Sequence, residues 1–147
     1  MSFKHVVRVV GQDLDGSLKV AYALSRIKGL GVNLAYAIIK LAEISPEERL
    51  GSLPDNKIKK IETIINSFSS QNIPNWMLNR VKDIESGENK HFVGSELLLK
   101  IKSDIDFMKR IKCWKGIRHS LGLKVRGQKT RTTGRTGQTI GVSRPRG

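Results

Sequence analysis

Residues 20–42 read VAYALSRIKGLGVNLAYAIIKLA. Val20, Ala23, Leu24 and Ile27 recur at helical spacing and form one apolar face. Gly29-Leu30-Gly31 ends that helix, because glycine gives up helix propensity and enters positive φ freely. Asn33 is the expected N-cap of a second helix, with Leu34, Ala35, Ile38, Leu41 and Ala42 on its inner face. A connection of about four residues makes the pair a tight helical hairpin. This pattern predicts a mainly α architecture built around the hairpin.

On the N-terminal side, residues 3–10 are rich in Val, stop at Gly11, and read as a short strand or extended arm. Asp13-Leu14-Asp15-Gly16 reads as a turn, with Asp15 or Ser17 available to cap the first helix. On the other side, Ser45-Pro46-Glu47-Glu48 has the pattern of a capping box with proline at the first helical position. It predicts a short helix ended by Gly51. A longer helix follows Pro54, with Ile58, Ile61, Ile65 and Phe68 turned inward. Residues 69–94 show no sustained period, and they read as an ordered loop region with at most one helical turn near 77–81. Ser95 is expected to cap one last long helix, about 95–114, whose stripe is Leu98, Ile101, Ile105, Met108 and Ile111. The body therefore covers 1–114, and an extended tail covers 115–147.

Charge separates those two parts. Up to Met108 there are 15 basic and 13 acidic residues, for +2, whereas the 39 residues from Lys109 carry twelve basic and no acidic residues, for +12. From Gly116 onward there are seven glycines in 32 residues and no Phe, Trp or Tyr, so the segment has no means of building a core of its own. An uncompensated charge block of this kind requires a polyanion, and the composition points to RNA. Arg side chains supply bidentate phosphate contacts, Gly permits close backbone approach, and Thr and Gln donate to phosphate and 2′-hydroxyl groups.

The candidate contacts follow. Gly29 and Gly31, with Lys28 beside them, form a turn that exposes backbone amides at the start of a helix, where a phosphate can sit. In the basic segment, Lys115, Gly116, Arg118, His119, Lys124, Arg126, Gly127, Gln128, Lys129, Arg131, Arg135, Arg144 and Arg146 are the candidates. Arg118 and Arg126 are the expected bidentate anchors, His119 stacks or bonds beside them, and Gly116 and Gly127 admit the RNA backbone.

Other chemistries are disfavoured. Gly122 and Gly127 have P-loop spacing, but Gln128 and Lys129 stand where that loop needs Lys and Ser or Thr. His5, His91 and His119 are isolated, Cys113 is the single cysteine, and neither a metal motif nor an acid–base constellation is visible. No catalytic residue, metal or cofactor is expected. No apolar run approaches the ~18 residues of a membrane span. A helical-hairpin DNA glycosylase with a proline nucleophile would need residues absent here, since the sequence opens on Met1-Ser2 and carries no four-cysteine finger.

Lys115-Gly116-Ile117-Arg118-His119, Gly122 and Val125-Arg126-Gly127-Gln128 closely resemble the signature of the ribosomal small-subunit protein thirteen family. Lys129-Thr130-Arg131-Thr132-Thr133-Gly134-Arg135 and Val142-Ser143 continue the match. Arg26-Ile27-Lys28-Gly29-Leu30-Gly31 is similar to that family's helix-two-turn-helix, and Pro74-Asn75-Trp76-Met77-Leu78-Asn79-Arg80 to its archaeal and eukaryotic branch. Resemblance to that branch implies that the loop-rich stretch about 69–94 is an insertion. The resemblance implies a cytoplasmic component of the small-subunit head that binds small-subunit rRNA beside small-subunit protein nineteen. It further implies bridges to large-subunit rRNA and large-subunit protein five, and a tail that approaches tRNA. Thr136-Gly137-Gln138 carries less charge than the family often shows there.

Overall fold

The computed structural model describes residues 3–68 and 73–134. The chain forms two compact units, Met1–Lys100 and Ile101–Gly147. Among the described residues the elements are β1 (Val6–Val9), β2 (Gln12–Asp15), α1 (Val20–Leu24), α2 (Val32–Leu41), α3 (Asp55–Asn66), α4 (Gly94–Arg110) and α5 (Trp114–Ser120). Short 3-10 turns lie at Leu50–Ser52 and Asn75–Met77. The fold is mainly helical, with a helical hairpin, a small N-terminal sheet and a long helix, as the periodicity predicts.

The N-terminal arm is one strand of a hairpin. β1 and β2 pair antiparallel with Val7 opposite Leu14 and Val9 opposite Gln12. Val10 and Gly11, at φ of 47° and 72°, form the two-residue connection, whose positive dihedrals match the strand twist. The turn expected at 13–16 is therefore mostly strand. Asp13 and Asp15 are its exposed face, and Leu14 is buried with Val7 and Val9. Glu62 of α3 accepts a hydrogen bond from the Val10 amide at 3.2 Å, which ties the hairpin to the body.

The helical pair forms with different ends. Asp15 does not cap α1: its carboxylate accepts from the Ser17 amide at 2.8 Å, which holds its pKa below the usual carboxylate range, and Lys19 occupies the N-cap. α1 closes after Leu24 and continues as turns, yet Ile27 is still buried. Gly31, not Asn33, is the N-cap of α2. Leu34, Ala35, Ile38 and Ala42 face the core as expected, joined by Ile39, while Leu41 is exposed. Ile58, Ile61, Ile64 and Ile65 of α3, with Phe68, complete the same core.

The predicted helix at 45–51 is absent. The Leu50 amide donates to Leu18 O at 3.0 Å, the Val20 amide to Glu48 O at 3.1 Å, and the Gly51 amide to Gly16 O at 2.9 Å. Backbone pairing with the segment before α1 outweighs the local capping signal, and Glu48 instead pairs with Lys57 at 3.4 Å.

Residues 73–93 are irregular but held in place. Arg80 and Lys90 form an isolated antiparallel bridge. Asp83, only 4% exposed, accepts from Arg80 and from Ser86 at 3.3 Å, with Lys100 at 3.7 Å. The Arg80 hydrogen bond is the main reason its carboxyl stays below the usual range, against the effect of burial.

α4 begins at Gly94, so Ser95 lies inside it rather than capping it. Of its predicted apolar stripe, Ile105 and Met108 are half-buried, whereas Leu98, Ile101 and Ile111 are exposed, as are Leu99 and Phe107. α4 ends at Arg110, and a separate helix, α5, occupies 114–120, where extended chain was expected.

Candidate nucleic-acid interface

α5 exists because two local devices cap it and one glycine makes room for it. Cys113 is the N-cap, with Sγ accepting from the Gly116 amide at 3.4 Å while the thiol donates to Met108 O, also at 3.4 Å. At the other end Gly122, at φ of 65°, donates to His119 O at 3.2 Å, and Leu123 to Arg118 O at 3.0 Å. That pair of bonds is a Schellman closure, which favours glycine at this position. A Cβ on Gly116 would lie 2.1 Å from Met108 O, so only glycine lets α5 approach the last turn of α4. Gly116 is buried. The close approach it permits in this structure is to the main chain at Met108 and Lys109.

The helix carries an aromatic and a cation one turn apart. The Arg118 guanidinium lies 5.8 Å from the centre of the Trp114 ring, and its Nε donates to Lys124 O at 2.9 Å. Arg118 is thus pre-oriented by a ring on one side and by the returning chain on the other. Trp114 is 71% exposed, so it offers a free face for stacking. Sequence reasoning missed Trp114. The available signal was an aromatic four residues before an arginine, which is cation–π spacing once the segment is helical.

Beyond α5 the chain bends around an open hollow of about 730 Å³ lined by Lys124, Gln128, Lys129, Thr132 and Thr133. Lys115, Arg126, Gly127 and Arg131 are exposed nearby in sequence, and His119 is half-buried. Gly127 has φ of 70° and open space around its α-carbon. With no acidic residue after Asp106, nothing in the segment neutralises these cations. Arg135, Arg144 and Arg146 lie outside the described residues.

The other expected contacts, Lys28, Gly29 and Gly31, belong to the first unit. Gly29 has φ of 99°, in the left-handed region its sequence predicts. The first amides of α2 have no intrahelical acceptor, no side chain caps them, and no acidic residue stands in the first turn. Lys28, Val32 and Asn33 are exposed beside them. A helix start of this kind attracts an anion. Among the described residues, no cluster of His, Cys, Asp or Glu could hold a metal ion, and no helix is long and apolar enough to cross a membrane.

Comparison with known proteins agrees with this chemistry. The family model described as ribosomal protein S13/S18 matches residues 8–136. The chain is 53% identical to small ribosomal subunit protein uS13 of Staphylothermus marinus, over 99% of its own length and 96% of that protein. It is 52% identical to the same protein of Saccharolobus solfataricus, over 97% and 86%, and 54% identical to that of Sulfurisphaera tokodaii, over 97% and 83%. A basic, pre-oriented helix–turn surface, a family model that covers most of the chain and half-identical relatives along nearly its full length lead to one conclusion: the chain belongs to the ribosomal protein S13/S18 family, and it is a cytoplasmic structural protein of translation rather than an enzyme.

Proposed function

We propose that the chain is a structural constituent of the small-subunit head that holds small-subunit rRNA through α5 and the basic segment behind it. The carrying observation is the arrangement of Trp114, Arg118 and the Lys124 carbonyl, which fixes a guanidinium and an exposed ring at the head of a segment free of acids. Fixing a cation before binding removes part of the ordering cost that a flexible tail would otherwise carry. The amides at the start of α2, with Lys28, form a second phosphate contact. The exposed apolar stripe of α4 suits a protein neighbour, which we assign to small-subunit protein nineteen. Bridges to large-subunit rRNA and large-subunit protein five, and approach of the tail to tRNA, complete the proposal.

The test is binding of the full chain to a small-subunit rRNA transcript as salt is varied. Each phosphate contact adds about 0.7–0.9 to the slope of log K against log salt. Arg118→Ala with Arg126→Ala is expected to flatten that slope and to weaken binding by about 1–3 kcal/mol for each well-made charged contact. Arg118→Lys should restore charge but not affinity, because the planar fork is lost. A double variant with the wild-type slope and affinity would place the anchor elsewhere.

A further inference from the structure

The turn at Gly29 is braced by the irregular segment 73–93, and one side chain makes the connection. His91 Nδ1 accepts a hydrogen bond from the Asn79 amide at 3.1 Å. With Nδ1 as acceptor the ring proton resides on Nε2, which lies 3.1 Å from Gly29 O and donates to it. Phe68 packs edge-on against the imidazole, with ring centres 4.6 Å apart. The neighbours of His91 are equally committed. The Asn79 side chain bonds the Phe92 backbone in both directions, at 2.7 and 3.0 Å. Phe92 O occupies the space beside Gly29 where a Cβ would come within 2.6 Å, and the Gly94 amide donates to Lys28 O at 2.8 Å. The carbonyls of Lys28 and Gly29 are therefore both engaged by residues 91–94, while the amides that start α2 remain without a side-chain cap.

We infer that His91 is a positioning residue for RNA: by donating from Nε2 to Gly29 O, it sets the orientation in which the turn, whose Leu30 amide donates to Ile27 O at 3.0 Å, delivers the uncapped first amides of α2 to a phosphate. This rests on the phosphate-binding role proposed above for the turn. A second proton would go on Nδ1, where the Asn79 N–H already points, so the imidazolium cannot keep both bonds. Burial holds the His91 pKa below its ordinary 6.5, against the raising effect of the Gly29 bond. The hollow beside His91 is lined by Val10, by Ile65 and Asn66 of α3, and by Val93, Ser95 and Glu96, so Glu96 is the titratable group that faces it.

The experiment uses the full chain, labelled for amide NMR, and a small-subunit rRNA transcript. His91→Gln keeps an N–H donor near the Nε2 position, His91→Asn keeps an acceptor near Nδ1, and His91→Ala keeps neither. RNA-induced shifts at the first α2 amides, Val32, Asn33 and Leu34, are expected to persist in His91→Gln and to shrink in the other two, with affinity falling about fivefold. Lowering the pH stepwise from about 7 until His91 protonates, below its ordinary 6.5, should reduce those shifts in the wild type but not in His91→Gln. Equal impairment of the Gln and Asn variants, or wild-type shifts and affinity in the Ala variant, would overturn the inference. Absence of any RNA-induced shift at these amides in the wild type would overturn the phosphate-binding turn itself, and the role of His91 with it.

Discussion

Single residues decide whether each candidate contact region can form. Gly116 carries the largest consequence. A methyl group there would overlap Met108 O at 2.1 Å and Lys109 N at 2.7 Å, which are main-chain atoms that cannot rotate away. Gly116→Ala is expected to force α5 off the end of α4 at a cost of about 1–3 kcal/mol. Hydrogen exchange at the α5 amides should rise, and RNA affinity should fall with it. Unchanged protection of α5 in that variant would show that the approach is not obligatory. Gly29 is constrained twice over, by φ of 99° and by Phe92 O. Its positive φ was legible from the glycine spacing alone. The role of Gly116 was not, because it depends on a backbone brought in from α4.

The elements show how far local signals reach. α2 ends in a Schellman closure in which Glu43 donates to Lys40 O at 3.2 Å and Ile44 to Ile39 O at 3.1 Å. Glu43 holds the left-handed position there at φ of 57°, which ordinarily belongs to glycine. Its side chain is exposed. Glu43→Gly should therefore raise stability by about 1 kcal/mol by relieving that dihedral. A thermal melt shifted upward checks it, and a shift downward would mean that Glu43 makes a contribution beyond its backbone. α4 conveys the converse lesson. Its helical period is clear in sequence, but period alone does not say what covers the stripe. Leu98, Ile101 and Ile111 are exposed, at 49%, 46% and 58%.

At the scale of the whole molecule, two buried or paired groups give stability a pH dependence of one sign. The folded state lowers the pKa of His91, chiefly by burial, so it binds fewer protons there than the unfolded chain does. The His91 contribution is complete above 6.5 and is lost as pH falls through 6.5 toward the lowered folded value. Asp83 is also lowered, chiefly by Arg80, so its contribution is complete above its ordinary 3.8 and is lost as pH falls below that. Stability should thus decline in two steps on acidification, and His91→Gln should abolish the first while leaving the second. Denaturant midpoints measured from about pH 7.5 to about pH 3 check this; a first step that persists in the variant would assign it to another group. Much of the molecule is legible in its amino-acid sequence. The spacing of Val20, Ala23, Leu24 and Ile27, the isoleucines after Pro54 and the acid-free segment are local properties, and local periodicity and charge survive into any compact fold. They determined the helical hairpin, α3 and the basic, acid-free segment. Tertiary structure alone decided that 12–15 is a strand, that 48–51 pairs with the chain before α1 instead of forming a helix, and that 114–120 is a helix seated on α4. In each case a backbone partner outside the segment, or a glycine admitting one, supplied contacts that outweighed the local turn, cap or charge signal.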